Sequence, residues 1–187
     1  MVVPLVGFIP VFAAGLLAKV ADALSDKWRE KSPSAWALFT GLAYGVLYAA
    51  IVSFSVAFAN LFLGIAIAVL LAGKIDSKPH QYAIASFLGM LAVIGFPPAA
   101  WFNLPVLMAV IIFALIDEFS SDYFSSKTAG NGIFKQLLSP IAKNRLFMEL
   151  FTVVLGLLTG EWEYFSGIIV FDAGYLVAGF LKGGKNG

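Results

Sequence analysis

Cysteine is absent from this chain of 187 residues, and histidine occurs once. Without cysteine there are no disulfides, thiolate metal sites or cysteine nucleophiles, and the redox compartment is left unread. A single histidine excludes His-rich zinc sites and haem held by two axial histidines. Charge is scarce as well: charged residues make up 12%, and 12 Lys+Arg against 11 Asp+Glu leave a net charge of +1. That balance lacks the basic excess that nucleic acid attracts, so no nucleic-acid partner is expected. H-E-x-x-H, a G-x-S-x-G elbow and the aspartate-rich motif with embedded Ala-Arg of CDP-alcohol phosphotransferases are all missing.

What is present is apolar. Hydrophobic residues reach 60% and the mean hydropathy is +0.92, far above the range of water-soluble domains. The runs predict an all-α polytopic membrane helix bundle, with seven transmembrane helices at about 3–24, 35–53, 56–74, 80–97, 104–124, 146–160 and 163–182. The stretch from Ala35 to Gly73 exceeds the ~20 residues of one span, and it divides at "SFSVAFAN", where Ser53, Ser55 and Asn60 suit a tight turn.

Basic residues test that division. With the N-terminus outside, all 12, from Lys19 to Lys185, fall on the inner side. Merging the second and third spans would carry Lys74 and Lys78 outside, so the positive-inside rule favours seven spans, N-out and C-in. The whole chain, 1–187, reads as one transmembrane domain of the plasma membrane, in contact with lipids. The N-terminus lacks the basic n-region and the small-x-small cleavage pattern of a signal peptide, so the first span is expected to stay. Trp28, Trp36, Trp101 and Trp162 lie near span ends as interface anchors, and Gly41/Gly45 and Gly156/Gly160 have the spacing for close helix packing within the chain. Residues 125–145 form an interfacial connector with apolar positions at helical spacing; the alternative is a lid whose "AGNG" presents backbone N–H groups to a phosphate.

Acidic residues carry the chemical signal. At 100° per residue, Asp117, Glu118, Ser121, Asp122 and Ser125 share an arc of about 140° on the fifth span, opposite Phe119, Tyr123 and Phe124. An unpaired charge at the depth of Asp117 costs about 2.5–3.5 kcal/mol against lipid, so this stripe should face the bundle. Glu118 and Asp122 stand four residues apart, as do Asp22 and Asp26, and "KIDSKPHQ" sets Asp76 four residues before His80. Paired carboxylates at this spacing repel unless a cation, a basic side chain or a shared proton intervenes. The topology gathers these groups, with Glu149 above Arg145, at the inner ends of the helices.

Each also has a plainer reading. Asp22 and Asp26 suit a solvated helix end paired with Lys19, Lys27 or Arg29, and Asp76 and Ser77 before Pro79 suit a helix cap. Asp172 is different: it falls near the middle of the last span and must be buried, neutral or paired, with Lys19 or backbone near Gly174 as partners.

The leading expectation is a membrane enzyme acting on a lipid phosphate or pyrophosphate. Asp22, Asp26, Asp76, His80, Asp117, Glu118 and Asp122 would hold Mg²⁺, and Asp117, Glu118 and Asp122 would be catalytic. The alternative is a cation- or proton-coupled transporter or channel using Asp172 and Glu149. A third class is a packing subunit of a larger membrane complex. Seven spans with an outer N-terminus are also the rhodopsin arrangement, but the last span holds Asp172 where retinal needs a lysine, which rejects that resemblance.

Overall fold

The structure, a computed structural model, describes residues 7–28, 35–75, 77–125, 141 and 146–183; the side chains of 25–28, 125 and 181–183 lie outside that description. Among the described residues the chain is all-helical, with no strand. It runs α1 (Phe8–Trp28), α2 (Ala35–Val52), α3 (Val56–Leu71), α4 (Lys78–Ile94), a 3-10 turn (Ala99–Trp101), α5 (Leu104–Ser125), α6 (Phe147–Thr159) and α7 (Glu163–Gly183).

The boundaries follow local chemistry. Ser55 stops the long apolar run: in extended backbone, it accepts the Phe58 N–H on its hydroxyl at 3.2 Å and caps α3. Asn60, expected in the same turn, is instead buried within α3. Ser77 occupies the N-cap position of α4 with Pro79 in the first turn, but its hydroxyl makes no cap bond. At the other end of α6, Gly160 closes the helix in left-handed backbone at φ 76°, which only glycine adopts without strain.

Consecutive helices alternate in direction. α3 lies at the centre, touching α2, α5 and α7, while α1 pairs most closely with α7 and α2 with α4. Both pairs approach to backbone contact. A methyl at Gly41 would overlap the Pro79 carbonyl, and one at Gly45 the Ala83 carbonyl. The Gly41/Gly45 spacing therefore packs α2 on α4 within the chain, as expected. Gly15 and Gly174 do the same for α1 and α7, against the carbonyls of Phe171 and Phe12; no G-x-x-x-G spacing announces them. Gly156 lies against the Trp162 ring.

The core is aromatic and aliphatic, centred on Phe58, Phe62, Leu61, Ile51 and Val52. Outer faces are apolar too: Leu104, Met108, Ile112, Ile116, Phe119 and Tyr123 form an exposed stripe along α5, and Leu150, Val154, Leu157 and Leu158 one along α6. Among the described residues three helices, α2, α5 and α7, are long and apolar enough to cross a membrane, and α3 and α6 are shorter apolar helices. The 13 residues of α6 rise only ~20 Å at 1.5 Å per residue, short of the ~30 Å hydrocarbon layer.

Candidate functional site

Helix alternation divides the polar groups between two ends. One holds the C-terminal parts of α1, α3, α5 and α7 and the start of α4 and α6; it is the Asp22 end. The other holds the start of α3, α5 and α7; it is the Asn60 end.

At the Asp22 end a hydrogen-bonded chain joins three helices. His80, in the first turn of α4, donates from Nε2 to Asp22 Oδ1 of α1 at 2.9 Å, since a carboxylate only accepts. Tyr175 of α7 donates its hydroxyl to Asp22 Oδ2 at 2.5 Å. Lys19, one turn before Asp22, donates to the Tyr175 oxygen at 3.2 Å and lies 4.4 Å over its ring. Both carboxylate oxygens of Asp22 are thus used, and Lys19 balances its charge through the phenol. The Tyr44 ring of α2 stands edge-on to His80, 6.5 Å between centroids. The site is partly open: the side chains of His80 and Asp22 are 23% and 36% exposed.

The acids of α5 separate. Asp117 and Glu118 are 7% and 9% exposed, with Phe119 and Tyr123 on the outer face, so this part of the polar stripe faces the bundle, while Asp122, expected on the same stripe, is exposed. Asp117 accepts the Phe147 N–H at 3.2 Å. It thereby caps α6 from the neighbouring helix, where Leu146 supplies no side-chain cap. Asp122 lies further out and pairs with Lys74, beyond the end of α3, at 2.5 Å. The Glu149 carboxyl of α6 lies beside that of Asp172 in α7, and its buried Oε2 accepts no hydrogen bond from another described residue.

Of the residues singled out in the sequence, the structure therefore brings together Asp22 with His80 and Glu149 with Asp172, and buries the consecutive Asp117 and Glu118. Asp76 lies outside the described residues, as do the Asp26 side chain and nearly all of the 125–145 connector. Among the described residues no three His, Asp or Glu side chains form a group that could hold a metal ion. Lys19, named as a partner for Asp172, donates to Tyr175. Sequence reasoning missed Tyr175 and Tyr44. The available signal was Tyr175 standing three residues after Asp172, close to one helical turn nearer the basic end of the span.

The Asn60 end is built differently. Asn60 donates to the carbonyls of Val56 at 2.7 Å and Trp101 at 2.8 Å, and accepts the Asn103 N–H at 3.0 Å. One buried amide thus fixes the turn between α4 and α5. Ser55 donates to Glu163 Oε2 at 2.8 Å, tying α3 to the start of α7.

Against known proteins, the chain matches no family model, no curated protein and no solved structure.

Proposed function

We propose that the chain is an integral plasma-membrane protein of seven spanning helices, N-terminus outside and C-terminus inside, that couples its conformation to the movement of protons or small cations. The observation that carries this reading is the Lys19–Tyr175–Asp22–His80 chain across α1, α4 and α7. Ionisable groups within helices whose outer faces are apolar are expensive to keep, and ion pathways are what they commonly serve. Glu149 and Asp172 extend the polar set along α6 and α7. Two carboxyl groups side by side in a low-dielectric layer need a proton or cation between them. The apolar stripes on α5 and α6 support contact with lipid, and the one-sided basic residues support the orientation.

The test is the full chain in sealed vesicles under an imposed H⁺, Na⁺ or K⁺ gradient, read with pH- and ion-sensitive dyes. Flux above empty vesicles is expected, and Asp22→Asn should abolish it. Absence of flux for all three ions would overturn the reading.

A second reading keeps the Mg²⁺-dependent reaction on a lipid phosphate or pyrophosphate. It is favoured by the adjacent buried Asp117 and Glu118, and it would draw its remaining ligands from the acids of α1 and the α3–α4 turn. Phosphate release from short-chain lipid phosphates that requires Mg²⁺ and is lost in Glu118→Gln is the outcome that would favour it.

A further inference from the structure

Two helix pairs, α1 with α7 and α2 with α4, pack at backbone distance over Gly15 and Gly174 and over Gly41 and Gly45. Such seams lock a pair together, because no flexible side chain separates the two backbones. Ser86 adds a hydroxyl bond from α4 to the Leu42 carbonyl of α2 at 3.1 Å. Between the pairs the contact is uneven. α1 packs along α2, but α1 and α4 touch only sparsely, and there the Asp22–His80 bond at 2.9 Å crosses the boundary. At the Asn60 end, by contrast, α7 is tied to the central α3 through Ser55 and Glu163, away from α4.

From this asymmetry we infer that the Asp22–His80 contact is a latch between two rigid helix pairs: when it releases, α4 parts from α1 at the Asp22 end while the Asn60 end stays closed. The α1–α2 interface is the hinge about which the pairs turn. Asp22 is held ready by Tyr175 and Lys19, which belong to its own pair. The His80 bond spans the gap from α4 to α1, so opening breaks it and leaves the carboxylate held by Tyr175 of its own pair. The Asp22–His80 bond is partly exposed, with 23% and 36% of the two side chains open to solvent. Water competes for it, and its loss changes a two-state population by about tenfold. The inference does not need the transport reading; a catalytic site at the same end would use the same opening for access.

The chain has no cysteine, so introduced cysteines take spin labels without background. Labels at Ala23→Cys and Gln81→Cys report α1 to α4 at the Asp22 end, and labels at Ile9→Cys and Val93→Cys report the opposite end. The protein is measured in lipid nanodiscs. His80→Phe and Asp22→Ala, which remove the donor and the acceptor, should convert a minor long-distance population at the first pair into the major one, with the second pair unchanged. The exchange of partners, Asp22→His with His80→Asp, should restore the short distance, which a general loss of packing would not allow. Tyr175→Phe keeps the ring and removes only the hydroxyl on Asp22; it should lengthen the first distance less, and it serves if the other variants do not fold. Unchanged distances in every variant, or equal lengthening at both ends, would overturn the latch. A distance change in a protein that moves no ion leaves the latch standing and removes the transport reading.

Discussion

The two ends of the bundle solve the same problem, satisfying polar groups among apolar helices, with different chemistry. The Asn60 end uses a neutral amide making three hydrogen bonds to backbone and a serine hydroxyl on a carboxylate. The Asn60 side chain is itself buried, and its bonds join α3 to the turn between α4 and α5. The Asp22 end uses charged and titratable side chains from different helices, partly open to solvent. An amide on backbone carbonyls fixes one geometry, whereas a carboxylate shared by an imidazole and a phenol can exchange partners. The contrast teaches which end is built to stay and which is built to change.

The largest expected effect comes from breaking the fixed end. Asn60→Leu removes the amide and leaves the Trp101 carbonyl and the Asn103 N–H without it. The expected loss is about 2–4 kcal/mol in reversible unfolding in detergent, from three hydrogen bonds worth about 1 kcal/mol each. A variant as stable as the parent would dissolve the distinction between the ends.

Next come the seams. Gly45→Ala sets a methyl against the Ala83 carbonyl of α4, and overpacking of this kind costs about 1–3 kcal/mol. Gly89, also in α4, has open space around it, so Gly89→Ala should leave stability unchanged or raise it by up to about 1 kcal/mol. Equal effects at the two glycines would mean that the seam does not set the α2–α4 distance.

A smaller loss is expected at the cap supplied across helices. Asp117→Ala deprives the Phe147 N–H of its acceptor and should cost about 1 kcal/mol, with faster amide exchange confined to the first turn of α6. Exchange that quickens evenly along α6 would argue against a capping role. The smallest effect belongs to the exposed pair: Asp122→Ala should lower stability by less than about 1 kcal/mol, a difference that disappears in high salt. A large, salt-independent loss would show that this contact is part of the fixed framework.

Much of the helical architecture could be read from the chain. Spans expected at 35–53, 104–124 and 163–182 appear as α2 at Ala35–Val52, α5 at Leu104–Ser125 and α7 at Glu163–Gly183. Helix limits are local, set by apolar runs and by residues such as Ser55 before α3, Pro105 at the start of α5 and Gly160 after α6. The inward face of Asp117 and Glu118 was legible for the same reason, since helical periodicity alone puts Phe119 and Tyr123 opposite them.

The site was legible only in part. The expected seven-span topology puts Asp22 and His80 on the same side, but nothing local says that α1 meets α4, or that Tyr175 reaches Asp22 153 positions away. Asn60 reads as a turn residue because amides favour turns. It becomes a buried clamp only when the 3-10 turn folds over α3. Likewise, Gly15 and Gly174 look like isolated glycines until α1 and α7 come together.

By itself, then, the sequence determined the helical class, the approximate helix ends and which faces are apolar, because these depend on the composition and period of neighbouring residues. Tertiary structure alone decided that Asp117 caps α6, that Asp122 goes to Lys74, and that Lys19 donates to Tyr175. The physical reason is range. Hydrophobic burial and helix periodicity act along the chain, whereas a hydrogen bond is set within a few tenths of an ångström by which backbones can approach. Here that approach is fixed by four glycines whose partners lie on other helices.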